Sequence, residues 1–60
     1  MTRYIVEYQM SKRWKFISDH GNQDIAVINA EVFTSSRNKT TRVRYDKEII
    51  TVVNPNIKEN

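Results

Sequence analysis

Apolar and polar residues alternate along two short stretches at the start of the chain. In residues 4–10 the aromatic and apolar side chains fall on every second position, at Tyr4, Val6, Tyr8 and Met10. Residues 14–18 resume the alternation, with Trp14 and Phe16 on one face and Lys15 on the other. Period-two alternation is typical of half-buried strands, and only the polar segment 11–13 separates the two stretches. The pattern therefore predicts a first β-hairpin.

A second hairpin is predicted near the end of the chain. Residues 40–45 place Thr41, Val43 and Tyr45 on one face, opposite Arg42 and Arg44. Asp46-Lys47 is a two-residue turn, and residues 48–53 form the run richest in β-branched residues. Asn54-Pro55-Asn56 then ends the strand, because proline cannot donate to a β-ladder.

The segment 25–36 between the hairpins fits two periodicities. It follows a polar break at residues 19–24, in which Asn22 is a candidate helix N-cap. Helical spacing puts Ile25, Ile28 and Val32 on one stripe. Alternation instead groups Ala26, Ile28, Ala30, Val32 and Thr34 on one strand face. The cap and the absence of Gly and Pro favour a helix; the alternative is a strand, which would give an all-β barrel of five strands.

These elements predict an α+β fold in the order β-β-α-β-β. Two β-hairpins form one four-stranded sheet, and a single helix packs on one of its faces. Residues 1–54 are expected to form one compact domain, followed by a flexible tail at residues 55–60. The predicted core consists of Val6, Tyr8, Trp14, Phe16, Ile25, Ile28, Val32, Phe33, Val43, Tyr45, Ile50 and Val52.

Length and composition exclude several classes of protein. The chain has 60 residues, no Cys, one His and a formal net charge of +3. Without Cys there is neither a disulfide framework nor a thiolate metal site. No apolar run approaches the roughly 20 residues needed to span a bilayer, and residues 1–4 lack the layout of a secretory signal. We therefore expect a small cytoplasmic domain.

The sequence offers little material for catalysis. His20 stands beside Asp19 and near Asp24, and a base next to a carboxylate is a minimal general acid–base arrangement. Neighbouring residues on a polar turn rarely converge on one substrate, however, and neither a Cys nucleophile nor a Gly-rich phosphate loop is present. One His with scattered carboxylates also lacks a metal-ligand spacing. The expectation is a non-enzymatic protein without a metal or cofactor.

The sheet face predicted to point away from the helix combines aliphatic and basic residues. Such a mixture is typical of protein–protein contact surfaces rather than of a face that meets only water. A protein partner, or a second copy in a homodimer, is therefore the leading hypothesis. The predicted contact residues are Ile5, Lys15, Ile17, Arg42, Arg44, Ile49 and Val53.

Nucleic-acid binding is the alternative function. Basic residues follow a phosphate backbone, and Trp14 is interleaved with some of them and could stack on a base. The modest net charge makes this the second choice. The residues that would contact nucleic acid are Lys12, Arg13, Lys15, Arg37, Lys39, Arg42 and Arg44.

The order of these features resembles small β-β-α-β-β proteins encoded by bacteriophages. The resemblance covers roughly residues 4–53. It lies in the strand with Trp14-Lys15-Phe16, the helix Ala26-x-x-x-Ala30-Glu31-x-Phe33-x-x-Ser36, the basic strand and the closing hairpin. Some of these phage proteins bind a host factor and redirect or inhibit it. The resemblance thus implies a binding protein that modulates or inhibits a protein of the bacterial host.

Overall fold

A computed structural model describes residues 3–55 and confirms the α+β fold and the β-β-α-β-β order. The described residues form four strands and one helix. Their bounds are β1 Tyr4–Met10, β2 Arg13–His20, α1 Gln23–Arg37, β3 Thr41–Tyr45 and β4 Glu48–Val53. The segment 25–36 is therefore helical, and the alternative of a fifth strand is wrong.

The four strands form one antiparallel sheet in the order β2-β1-β3-β4. The two N-terminal strands of the hairpins, β1 and β3, pair at the centre, where Val6 opposes Val43 and Glu7 opposes Arg42. The chain crosses from β2 at one edge to β3 on the other side of β1 through α1. The helix thus covers one face of the sheet, the inner face, and leaves the other, the outer face, open to solvent.

Side chains and backbone groups at both ends of α1 fix its limits. The side-chain oxygen of Asn22 accepts a hydrogen bond from the backbone N–H of Ile25 at 3.2 Å, which confirms the predicted N-cap. Asn38 ends the helix in the left-handed conformation (φ 58°), and its N–H donates to the carbonyl of Thr34 at 2.8 Å. The helix begins two residues before the predicted stripe, because Gln23 and Asp24 form its first turn.

Small side chains let the helix approach the centre of the sheet. Ala26 and Ala30 of α1 and Val6 and Val43 of the central strands are completely buried and form the core. Next to this cluster, the hydroxyl of Thr34 donates to that of Thr41 at 2.7 Å. A core of two alanines and two valines is small, so larger apolar side chains must pack at its margin or remain exposed.

Each edge strand contains one β-bulge. In β2 the pairing with β1 passes from Ser18 to Phe16, so Ile17 is the extra residue. In β4 the pairing with β3 passes from Thr51 to Ile49, so Ile50 is the extra residue. Both isoleucines pack against the core cluster. Because an extra residue shifts the alternation, the residues that lie beyond each bulge from the hairpin turn have the opposite faces to those of a regular strand.

The two-residue turn of the first hairpin and the bulge in β4 overturn part of the predicted core. Val6 and Val43 are buried as predicted, and Tyr8, Phe33 and Ile50 are half-buried on the inner side. Trp14, Phe16 and Val52 instead lie on the outer face, since they pair with or adjoin Gln9, Glu7 and Arg42. Tyr45, at the end of β3, is 38% exposed.

The predicted apolar stripe of α1 does not face the sheet. Ile25, Ile28 and Val32 are 49%, 56% and 58% exposed. The buried side of the helix carries Ala26, Ala30 and Thr34 instead. The periodicity of the large apolar residues therefore predicted a helix correctly but identified the wrong face, because the close approach to the sheet favours small side chains.

The described residues are consistent with one folded unit, since α1 packs against all four strands. The predicted tail, residues 55–60, lies outside the described residues except for Pro55. The helix found among residues 3–55, α1, has 15 residues. It is neither long nor apolar enough to cross a membrane.

The assignment of the helix faces can be tested by two substitutions. Ala30→Leu should destabilise the fold by about 1–3 kcal/mol, because the larger side chain has no room against the sheet. Ile28→Ser should cost no more than about 0.5 kcal/mol, because the side chain is already exposed. Urea unfolding followed by circular dichroism measures both. A larger cost for Ile28→Ser than for Ala30→Leu would contradict the assignment.

Candidate functional site

The outer face of the sheet gathers large apolar side chains around an ionic centre. Phe16 is 62%, Val52 49% and Ile49 43% exposed, and Ile5 and Trp14 are partly exposed beside them. All belong to positions that pair across the sheet with Glu7, Gln9, Arg42 or Arg44. Cross-strand partners share a face, so these side chains form one surface.

Glu7 lies at the centre of this surface and is nearly buried, with 8% of the residue exposed. Its Oε1 atom accepts a hydrogen bond from Nε of Arg42 at 2.8 Å and lies 3.1 Å from Nε of Arg44. Arg44 also donates from a terminal nitrogen to the backbone carbonyl of Asp46 at 2.7 Å. One carboxylate thus holds two guanidinium groups of the neighbouring strand.

The ion pairs outweigh the cost of burying the carboxylate. Burial alone would raise the pKa of Glu7, but the hydrogen-bonding and positively charged guanidinium groups of Arg44 and Arg42 lower it below its ordinary value near 4.5. Glu7 is therefore ionised at neutral pH and neutralises part of the positive charge of β3.

Aromatic side chains cover the ionic centre on the side of β2. The guanidinium carbon of Arg42 lies 4.1 Å from the centroid of the Trp14 ring, in cation–π contact. Phe16 directly opposes Glu7 across the β1–β2 pair. The ring of Phe16, which is 62% exposed, thus lies beside the largely buried ion pair. Its exposure leaves it available to a partner.

The structure brings together four of the predicted contact residues. Ile5, Arg42, Arg44 and Ile49 lie on the outer face, where Ile5 opposes Arg44 in β3 and Ile49 opposes Arg44 in β4. Their shared position follows from regular alternation along β1 and β3, which carry no extra residue.

The other three contact residues do not belong to the outer face. Ile17 is the extra residue of the β2 bulge and packs against the core. Val53 opposes Thr41 and also packs against the core. Lys15 opposes Tyr8, whose ring contacts Phe33 of the helix, so Lys15 lies on the inner face. The prediction took residues 11–13 as the break between the first two strands, but the turn has two residues and Arg13 pairs with Met10, which reverses the faces of Lys15 and Ile17. The bulge in β4 reverses the face of Val53.

The sequence prediction missed Trp14, Phe16, Val52 and Glu7 as members of this surface. Consecutive apolar pairs carry the signal that could have found Val52. Ile49-Ile50 and Val52-Val53 interrupt the alternation, and an interrupted alternation is what a bulge produces. Trp14 and Phe16 follow instead from the two-residue turn that pairs Met10 with Arg13. The role of Glu7 depends on two arginines 35 and 37 positions further along the chain, which no local pattern connects with it.

Basic residues from two distant segments converge at one end of the molecule. The N–H of Gln9 donates to the carbonyl of Thr40 at 2.8 Å, so the β1–β2 turn and the α1–β3 loop lie at the same end of the sheet. The segments 9–15 and 36–41 contain no acidic residue. We call this region the basic end; it is formed by Lys12, Arg13, Lys15, Arg37 and Lys39.

The groups considered for acid–base chemistry do not converge. Asp19 forms an ion pair with Arg3 at 3.2 Å, whereas Nε2 of His20 lies 2.9 Å from the hydroxyl of Ser18. Asp24 stands in the first turn of α1. Within residues 3–55, no group of three or more His, Asp or Glu side chains is arranged to hold a metal ion.

Comparison of the chain with models of known protein families, with curated proteins and with solved structures found no match.

Replacing Glu7 should change how stability depends on pH. Because the folded pKa of Glu7 is lowered, its contribution is complete above the ordinary value near 4.5 and is lost as the pH falls through the lower folded value. Glu7→Gln should therefore lose about 1–3 kcal/mol of stability at pH 7 and show a weaker decline in acid. Urea unfolding at pH 7 and pH 3, followed by circular dichroism, measures the change.

Asp19→Asn is the matched control. It removes a carboxylate whose side chain is 44% exposed, from an ion pair with a similarly exposed Arg3, so it should cost at most about 1 kcal/mol. If Glu7→Gln and wild type decline equally between pH 7 and pH 3, the ion pairs of Glu7 do not stabilise the fold.

Proposed function

We propose that this protein is a small non-enzymatic binding module that uses the outer face of its sheet to cover part of a protein partner's surface. The observation that carries the proposal is the exposure of Phe16, Ile49 and Val52 around the ion-paired Glu7. A surface that combines exposed aromatic and aliphatic side chains with ordered Arg residues is typical of interfaces, in which a few aromatic and Arg residues supply most of the binding energy.

The electrostatics of the outer face favour a protein over a nucleic acid as the partner. Both arginines of β3 are engaged with Glu7, and the guanidinium of Arg42 also stacks on Trp14. A phosphate would have to displace these contacts or add to them, and Glu7 would repel it. An apolar protein surface that offers a hydrogen-bond acceptor to the remaining N–H groups of the arginines fits without breaking the cluster.

The resemblance to phage proteins suggests the class of partner. We expect a protein of the bacterial cytoplasm whose activity is modulated or inhibited when the outer face occupies its surface. A second copy of this chain is the other candidate occupant, and sedimentation of the purified protein distinguishes the two. A homodimer that uses the outer face would bury Phe16 and Ile49 without any added partner.

A pair of equally exposed apolar residues tests the assignment. Phe16 on the outer face is 62% exposed and Ile28 on the helix is 56% exposed. Replacing either by Asp should change stability by no more than about 0.5 kcal/mol, since neither belongs to the core. Phe16→Asp should abolish partner capture or self-association, because a charge buried in an interface without a counter-ion costs several kcal/mol.

Capture from a bacterial lysate with tagged wild type and both variants, quantified by mass spectrometry, measures this effect. The proposal expects a protein that wild type and Ile28→Asp retain and Phe16→Asp loses. It is overturned if, with folding intact by circular dichroism, Phe16→Asp retains the captured proteins and the oligomeric state of wild type.

The basic end favours nucleic-acid binding as a second candidate function. Five basic residues converge there from the segments 12–15 and 37–39, and the turn residues Met10 to Arg13 with Lys15 line a surface depression of about 340 Å³. A concentration of positive charge of this kind attracts a phosphate backbone. The residues of this second site differ from those of the outer face, so the two functions can be separated by mutation.

Single-stranded DNA titrated at several salt concentrations tests the second candidate. We expect binding no tighter than about micromolar at physiological salt, since few phosphates can be neutralised by so small a region. Submicromolar binding that is lost in Lys12→Glu/Lys39→Glu would instead make nucleic acid the primary partner. Lys47→Glu, which reverses a charge in the β3–β4 turn at the opposite end, is the control.

A further inference from the structure

A groove runs between the start of α1 and the edge strand β4. It has a volume of about 580 Å³ and is lined by Gln23, Asp24, Val27, Ile28, Ile50 and Thr51. We call it the helix groove. It lies on the side of the molecule that carries α1, across the sheet from the outer face, so the binding proposed above leaves it accessible.

An exposed apolar ridge on α1 borders the helix groove. Ile25, Ile28 and Val32 follow one another at intervals of three and four residues and are each about half exposed. At 1.5 Å per residue the ridge extends for about 10 Å along the helix. Ridges of this spacing are the surfaces that pack into the grooves of another helix.

The charged residues beside the ridge are acidic, although the net charge of the whole chain is positive. The chain has a net charge of +3, but the exposed side of α1 carries the acids Asp24 and Glu31. They are seven residues apart and therefore lie on the same flank of the helix as Val27, toward β4. Among residues 3–55, neither forms an ion pair.

The bulge in β4 argues against an extended peptide in this position. A peptide that adds a strand to an edge needs a regular row of backbone donors and acceptors. The extra residue Ile50 interrupts that row in the middle of β4 and bends the strand. The apolar ridge on α1 is therefore the part of this region that a partner would contact. The intervals of three and four residues between its side chains suit packing against a partner helix.

We propose that the helix groove and its ridge form a second docking site, for a basic amphipathic helix of another protein. The partner helix places apolar side chains at positions i, i+3, i+4 and i+7 against Ile25, Ile28 and Val32. Its Lys or Arg side chains on one flank reach Asp24 and Glu31. Helix-in-groove recognition of this type needs an apolar stripe and complementary flanking charges, and α1 offers both.

A designed peptide serves as the probe. The peptide is an amphipathic helix of about four turns, with Leu on the apolar stripe and Lys at the other positions; in a counterpart every Lys is replaced by Glu. Each is titrated into the ¹⁵N-labelled protein while amide chemical shifts are recorded. The Lys peptide should shift the amides of Asp24, Ile28 and Thr51 and leave those of Trp14 and Phe16 unchanged, and the Glu peptide should not bind.

Two variants with a matched control decide whether the site acts as proposed. Asp24→Asn/Glu31→Gln should weaken binding of the Lys peptide about fivefold, as the loss of two exposed charge contacts implies. Ile28→Ser should weaken it further, and Phe16→Ser on the outer face should have no effect. Circular dichroism confirms that each variant remains folded.

The proposal is overturned by any of three results. These are no binding of the Lys peptide, shifts centred on Trp14 and Phe16, and equal affinity for wild type and the Asp24→Asn/Glu31→Gln variant. None of them depends on the partner of the outer face, so the two proposals stand or fall separately.

Discussion

The register of each hairpin, set by its two-residue turn and by one extra residue in its edge strand, is the constraint on which the two surfaces of the sheet depend. Ile17 in β2 and Ile50 in β4 turn toward the helix and extend a core that otherwise contains two valines and two alanines. On the opposite face, Trp14, Phe16 and Ile49 lie where the two-residue turns of the hairpins place them, and the bulge in β4 adds Val52. A regular β4 could not bury Ile50 and expose Val52 on the other face, because strict alternation would put both on the same side. The bulges also bend both edges, which hinders pairing with other strands.

Glu7 connects this geometry to binding. A carboxylate in the middle of an apolar surface is costly unless it is fully paired, and Arg42 and Arg44 supply the pairing from the neighbouring central strand. The Trp14 ring stacks on Arg42 and shields the cluster from water. The ion pairs thus link β1 to β3 on the side where no helix covers them. They also keep the arginine side chains fixed in place, so less rotamer entropy is lost when a partner packs against Phe16.

Local patterns predicted the elements, and long-range packing decided the faces. Asn22 was correctly identified as the N-cap of α1, since capping depends on neighbouring backbone groups. Arg42, Arg44, Ile5 and Ile49 were assigned to the correct face. Ile17, Val53 and Lys15 were not, because the length of the first turn and the bulge in β4 are fixed by pairing between strands, which the local pattern does not include. Ile25, Ile28 and Val32 were expected inside because hydrophobicity was taken as the measure of burial. The space between α1 and the side chains of Val6 and Val43 is narrow, so only small side chains are buried there, and Ala26 and Ala30 fit.

The central claim is that the two-residue turn of the first hairpin, which pairs Met10 with Arg13, places Trp14 and Phe16 on the face of Glu7 and Arg42, away from the helix, and turns Ile17 toward the core. Nuclear Overhauser contacts in the folded protein measure this arrangement directly. The account predicts cross-peaks from the indole protons of Trp14 to the side chain of Arg42, and from the Ile17 methyls to the core, with no contact between Trp14 and the methyls of Ala26 or Ala30. Cross-peaks from Trp14 or Phe16 to those alanine methyls would show a β1–β2 register shifted by one residue, with the aromatic rings in the core, and would contradict the account.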